Sequence, residues 1–173
     1  MGVLIADEPR LLYVTGLHNA HAMETQAIQL LSRQVERLEH YPEMEAKLRA
    51  HLEESKVQRT RLEEVLHTID EKESALKEAV LGLGGNIAAL AHTTASDEIV
   101  KNTLANYMFE HFEIAAYKSL IAMSEFIGHP AGAAAARASL QEEAAMAAWI
   151  DERIGSTTTV FMERIKAGVT ADH

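Results

Sequence analysis

Chain breakers are scarce in this sequence, and their placement limits what it can fold into more than any other feature. Asp7 can cap a helix whose first turn holds Pro9. Apolar residues then recur at Leu17, Ala20, Met23, Ala27, Ile28, Leu30, Leu31, Val35 and Leu38, a helical stripe that meets no breaker until about Glu39. Tyr41-Pro42 stops it and starts a second helix, with Glu43 and Glu45 well placed in its first turn. Leu48, Leu52, Val57, Leu62, Val65, Leu66 and Ile69 carry the second stripe.

A shorter helix is expected from Asp70 to Leu83, broken by Gly82, Gly84 and Gly85, with another turn or two from Asn86 to His92. Ser96 with Asp97 and Glu98 opens a long third helix. It runs to the turn Gly128-His129-Pro130, and a fourth long helix follows to about Ile154. Gly155-Ser156 closes it, and Thr157 to Ala167 forms a short last helix ended by Gly168. Nothing reads as a strand, and no linker divides residues 1–173 into two domains. The expected class is all-α: two antiparallel hairpins forming a four-helix bundle, with extra short helices in the crossover and at the C-terminus. Two hairpins joined by one long crossover is the ferritin-like connectivity.

Composition excludes several kinds of chemistry. Cysteine is absent, so disulfides, thiolate zinc sites and cysteine nucleophiles are ruled out. A metal would have to sit among Glu, Asp, His, Tyr or water, a donor set suited to Fe, Mn or Zn. The net charge of −10 disfavours nucleic acid and anionic membrane as partners. Met1–Ala6 is apolar but lacks a basic region and is not expected to act as a signal peptide. No apolar run approaches the ~18 residues that span a bilayer. The expected location is the cytoplasm.

Four glutamates lie on apolar helix faces. Glu24 shares a face with Leu17, His21, Ile28 and Leu31, and Glu143 with Leu140, Ala147 and Ile150. Glu54 follows His51 by three and precedes Gln58 by four; Glu110 precedes Glu113 by three and Tyr117 by seven. In an antiparallel hairpin, residues at equal depth lie equally far from the turn. The midpoint of 24 and 54 is 39, just before Tyr41-Pro42, and that of 110 and 143 is 126.5, just before Gly128. Each glutamate is then roughly 25 Å from its turn, at 1.5 Å per residue. Each hairpin thus holds a pair at matching depth. Burying four carboxylates without a counter-charge is very costly. Two divalent cations would neutralise them, and open coordination positions could take O₂, peroxide or water. The metal-ligand candidates are Glu24, Glu54, Glu110, Glu113, Glu143 and His51. The alternative for each glutamate is a solvated helix face. Glu54→Gln is expected to be neutral or stabilising without metal and to weaken binding with it.

Four stretches resemble the YciF-type bacterial stress-response proteins of the ferritin-like superfamily. They are Leu12-Tyr13 with the Glu24 helix; His51-Leu52-Glu53-Glu54-Ser55 with Gln58 and Arg61-Leu62-Glu63; Glu110-His111-Phe112-Glu113-Ile114-Ala115-Ala116-Tyr117; and Leu140-Gln141-Glu142-Glu143. The third is the most specific, and the resemblance covers most of residues 8–154. It implies a rubrerythrin-like bundle, a homodimer, a role in a stress response and a proposed metal centre, for which the carboxylate set suggests Fe or Mn in a dinuclear site. The chain departs from the usual di-iron pattern of Glu-x-x-His, because Val57 and Met146 stand at that spacing from Glu54 and Glu143. His21 and His51 instead lie one turn before Glu24 and Glu54, as ligands from the other side or as partners of ligands. His111, adjacent to Glu110, should point about 100° away. Tyr117 is placed to hydrogen-bond a site carboxylate, to serve in electron transfer, or to be a core tyrosine.

Two functions remain open on the sequence. One is a ferritin-like metal-binding stress protein, reacting with O₂ or peroxide. The other is a non-enzymatic bundle that has lost the metal and acts through oligomerisation or partner binding. Neither names a substrate.

Overall fold

A computed structural model of the protein describes residues 8–69 and 96–171. Among these residues there are five α-helices and no strand: α1 (Glu8–Val35), α2 (Pro42–Thr68), α3 (Glu98–Phe126), α4 (Pro130–Asp151) and α5 (Ile154–Lys166). Pro42 and Pro130 each occupy a first helical turn, where the missing N–H leaves no hydrogen bond unmade. α3 starts at Glu98, and Asp97 makes no side-chain cap; its carboxylate pairs with Lys101 at 2.7 Å instead.

The turn between α3 and α4 is fixed by Gly128, whose φ is +73°. Its N–H reaches the Glu125 carbonyl and the His129 N–H the Ser124 carbonyl, the paired bonds of a Schellman ending. Gly168, φ +69°, ends α5 in the same way with Ile165 and Arg164. The sequence placed the end of the fourth helix at Gly155. The helix in fact ends at Asp151, and Gly155 lies in the first turn of α5. The Arg153 N–H bonds to the Ile150 carbonyl there, so the chain turns before the glycine is reached.

Contacts at the helix ends give the topology. Arg10 at the start of α1 donates to the Ile69 carbonyl after α2, and Tyr13 meets His129 before α4. At the other end Arg37 grips Glu98 through two bonds of 2.8 and 2.6 Å, and the Tyr41 hydroxyl donates to the Ala171 carbonyl. α1 therefore runs antiparallel to both α2 and α3. The chain leaves α2 at one end of the bundle and enters α3 at the other, so residues 70–95 join opposite ends. The short helices expected within 70–92 fall outside the described residues. α1 packs on α2 and α3, α4 on α2 and α3, and α5 on α3, which closes a four-helix bundle. No helix among the described residues is long and apolar enough to cross a membrane.

The core has two apolar parts. Tyr13, Leu17, Met23, Leu62, Leu66 and Leu120 belong to one, and Leu31, Leu48, Leu52, Ile99, Met146 and Ile150 to the other. Gly132 lets α4 approach the first part: a Cβ there would stand 2.8 Å from Ser124 Oγ and 2.9 Å from His129 Nδ1, and would collide with the Tyr13 hydroxyl. Buried among the apolar side chains are polar ones, including a reciprocal Gln34–Asn106 amide pair at 2.8 and 3.1 Å. The largest polar group sits in the middle of the helices.

Candidate metal centre

Every long helix contributes to that group. Glu24 comes from α1, His51 from α2, Glu110 and Glu113 from α3 and Glu143 from α4, and each is at most 2% exposed. Glu110 and Glu113 share a face because they are three apart on α3, and Tyr117 follows one turn on. His51, Glu110, Glu113 and Glu143 each present one ligand atom, and these four atoms lie within 4.8 Å of one another.

His51 Nε2 lies 3.2 Å from Glu110 Oε2 and 3.5 Å from Glu143 Oε2, but neither approach has the angles of a hydrogen bond. Six buried atoms around this point make no hydrogen bond: His51 Nε2, Glu24 Oε2, Glu110 Oε2, Glu113 Oε1 and both oxygens of Glu143. Such groups cost on the order of 1–3 kcal/mol each when left unmatched, and more when charged. Donor atoms 3.2 and 3.5 Å apart that make no hydrogen bond to one another are spaced as ligands of a shared ion would be. One imidazole with three carboxylates is a donor set for Fe, Mn or Zn. The residues present therefore fit a divalent metal.

Glu24 stands beside this set. Tyr117 donates a short 2.5 Å bond to its Oε1, while its Oε2 has no partner. Glu54 is placed differently. Its side chain is 38% exposed, and it bonds His51 Nδ1 at 2.9 Å, on the far side of the imidazole from the other carboxylates. His21, the other histidine singled out from sequence, bonds Glu63 at 2.9 Å. His111 is exposed and meets the Tyr107 ring edge-on.

Sequence reasoning missed the side wall of the site. Gln58, fully buried, donates to Glu142 Oε2 at 2.9 Å, and Arg61 grips the same carboxylate at 2.5 and 2.8 Å. The signal was present: His51, Glu54, Gln58 and Arg61 follow a three-four-three spacing on one stripe of α2. The Arg61 guanidinium is held by Glu142.

Electrostatics follow from burial. Burial, then the Glu143 charge, pushes Glu24 up to about 8. Burial pushes Glu110 up to about 8 as well, against the pull of His51. Glu113 is held well above the usual carboxylate range by burial and then by Glu24 and Glu143. Burial opposes charge on Glu143 too, but its contacts with His51 and Glu110 outweigh that and hold it below the range. Burial also works against a charged His51, yet Glu110, Glu143 and Glu54 together raise it well above an ordinary imidazole. Glu54 is lowered, first by its bond with His51. Without metal, burial thus favours protons on Glu24, Glu110 and Glu113, while the contacts between His51 and Glu143 favour charge on both.

A family model described as a domain of unknown function (DUF892) matches residues 8–163. Among solved structures, a protein from Xanthomonas campestris pv. campestris is 27% identical, with a TM-score of 0.77 over 92% of this chain and 99% of that one. The E. coli stress protein YciF is 20% identical, with a TM-score of 0.68 over 84% of this chain and 94% of its own. YcfI of Rhodopseudomonas palustris is 23% identical, with a TM-score of 0.69 over 87% and 98%. The last two speak for the fold alone.

Proposed function

The chain belongs to the DUF892 family of YciF-like helical proteins, and from that premise we propose that it is a ferritin-like metal-binding protein of the cytoplasm acting in a stress response. The observation that carries this reading is His51 Nε2, fully buried, without a hydrogen bond, and aimed among three carboxylates whose own oxygens lack partners. His51, Glu110, Glu113 and Glu143 would hold the first ion. Glu24, with one free oxygen, would complete a second position and make the centre dinuclear. Such a centre, as Fe or Mn, supplies a Lewis acid and a redox partner for O₂ or peroxide. The description of the E. coli neighbour as a stress protein supports the cellular role.

Metal analysis of protein purified without chelators tests the reading. Wild-type chain is expected to carry Fe or Mn, and a His51→Ala/Glu143→Ala double variant to carry none. Titrating the metal-free protein at pH near 7 should release about three protons for the first ion, one each from His51, Glu110 and Glu113. Calorimetry in buffers of different ionisation enthalpy reads that number. Wild-type protein that takes up neither metal at millimolar concentration would overturn the proposal.

A second reading, assembly into a homodimer, is supported by one face of α3. Leu104, Met108 and Phe112 recur at four-residue spacing there and are 50%, 49% and 46% exposed, and Phe126 further along is 79% exposed. Exposed apolar side chains repeated along one helix face suit an interaction site. Light scattering should give twice the chain mass at micromolar concentration, and Phe112→Glu should halve it. A wild-type monomer under those conditions speaks against it.

A further inference from the structure

We infer that Glu54 is a positioning residue for the metal centre, which aims His51 at the ion without touching the ion itself. The inference rests on the metal-binding reading above. The two residues are three apart on α2, so Glu54 stands one turn along the same face. A carboxylate can only accept, so in the 2.9 Å contact between Glu54 Oε2 and His51 Nδ1 the ring nitrogen is the donor and carries the hydrogen. That fixes the tautomer. The lone pair of the neutral ring then belongs to Nε2, the atom left without a partner among Glu110 and Glu143. The same bond sets the ring's rotation about its own side chain. Metal-ligating histidines very commonly take a carboxylate on the nitrogen away from the metal, which orients the ring and raises its basicity.

The position of Glu54 supports this role over ligation. Its side chain is 38% exposed, whereas His51, Glu110 and Glu143 are within 3% of full burial. It is absent from the group of ligand atoms gathered within 4.8 Å. The bland alternative is a helix-surface pair at three-residue spacing, which contributes a few tenths of a kcal/mol to the helix and nothing to metal binding. That alternative fits poorly with a partner whose ring is fully buried.

Cobalt(II), whose visible bands report its ligand set, separates the possibilities when titrated into full-length wild-type, Glu54→Ala, Glu54→Gln and His51→Ala proteins. Glu54→Ala is expected to bind Co(II) on the order of 10- to 100-fold more weakly. Its saturated spectrum and stoichiometry should remain those of wild type. Glu54→Gln, which keeps an acceptor oxygen for Nδ1 at nearly the same volume, should fall between them and guards against a folding defect in the alanine variant. His51→Ala should change the spectrum itself. If wild type binds Co(II) and both Glu54 variants bind it equally well, the positioning role is wrong and the metal reading stands. If the saturated spectrum of Glu54→Ala differs from wild type, Glu54 is a ligand and the role is wrong for the opposite reason. If wild type binds no Co(II), the metal reading fails and the role falls with it.

Discussion

Metal-free protein should lose stability as the pH rises from about 5 to about 8, and added Fe(II) or Mn(II) should restore most of it at the upper end. Burial pushes Glu24 and Glu110 up to about 8 in the fold against an ordinary value of 4.5, and Glu113 is also raised well above that ordinary value. A carboxyl with a raised folded pKa contributes stability that is complete below its unfolded pKa and is lost as pH climbs through the folded one. His51 is raised as well, so its contribution is present below 6.5 and also disappears upward. Glu143 and Glu54 are lowered, so theirs is present above 4.5 and is lost on acidification. The two sets together place the optimum of the metal-free protein near pH 5. Each buried carboxyl changes stability by at most ~1.4 kcal/mol per pH unit inside its window. Metal needs the ionised ligands, so its effect grows in the direction in which the free protein weakens. At a hundred times the dissociation constant it adds about 2.7 kcal/mol, roughly 5–10 °C for a domain of this size. Thermal unfolding followed by circular dichroism, with chelator and with metal at three pH values, measures both effects. A melting temperature that is flat or rising from pH 5 to 8 in chelator contradicts the protonation pattern. A larger metal shift at pH 5 than at pH 8 contradicts the ligand assignment.

The architecture was legible because it depends on spacing and breakers. Pro42 and Pro130 begin α2 and α4, and the midpoints at 39 and 126.5 fall within or beside the two turns. Equal depth in each hairpin follows from counting residues, so Glu24, Glu110 and Glu143 were bound to come near one another if the hairpins packed. What spacing does not provide is rotation. His51 and Glu54 lie on one stripe of α2, and either could have faced the bundle axis. The turn of the helix about that axis decides, and it is set by how Leu48, Leu52 and Leu62 pack against the other helices. It buries His51 and leaves Glu54 on the flank. His21 meets the same limit: its face on α1 borders α2, where Glu63 takes it. The end of α4 was misplaced because a glycine breaks a helix only when no earlier bond closes it.

Glu113→Gln should act in opposite directions with and without metal. Glu113 is 1% exposed and its Oε1 has no partner. In the metal-free protein at pH 8, glutamine removes a carboxyl whose ionisation is opposed by burial and by the neighbouring Glu24, Glu143 and Glu110, at almost unchanged volume. The variant is therefore expected to be more stable than wild type at that pH, by on the order of 1 kcal/mol. At pH 5 the carboxyl already holds its proton, and the difference should shrink towards zero. With metal the sign reverses. An amide oxygen replaces an anionic ligand, and the loss of affinity should exceed the 10- to 100-fold typical of partners outside the ligand set. Glu54→Gln gives the contrast. The sequence led to an expectation of a neutral or stabilising change, on the premise of a buried like charge. In the structure Glu54 is partly exposed, and its bond with His51 holds its pKa low, so the same substitution should destabilise the metal-free protein. Melting curves of both variants at pH 5 and 8, with chelator and with metal, distinguish a carboxylate that needs a cation from one that already has His51. If Glu113→Gln lowers the melting temperature under all four conditions, Glu113 is held by packing that its proton does not control, and it should be removed from the ligand set.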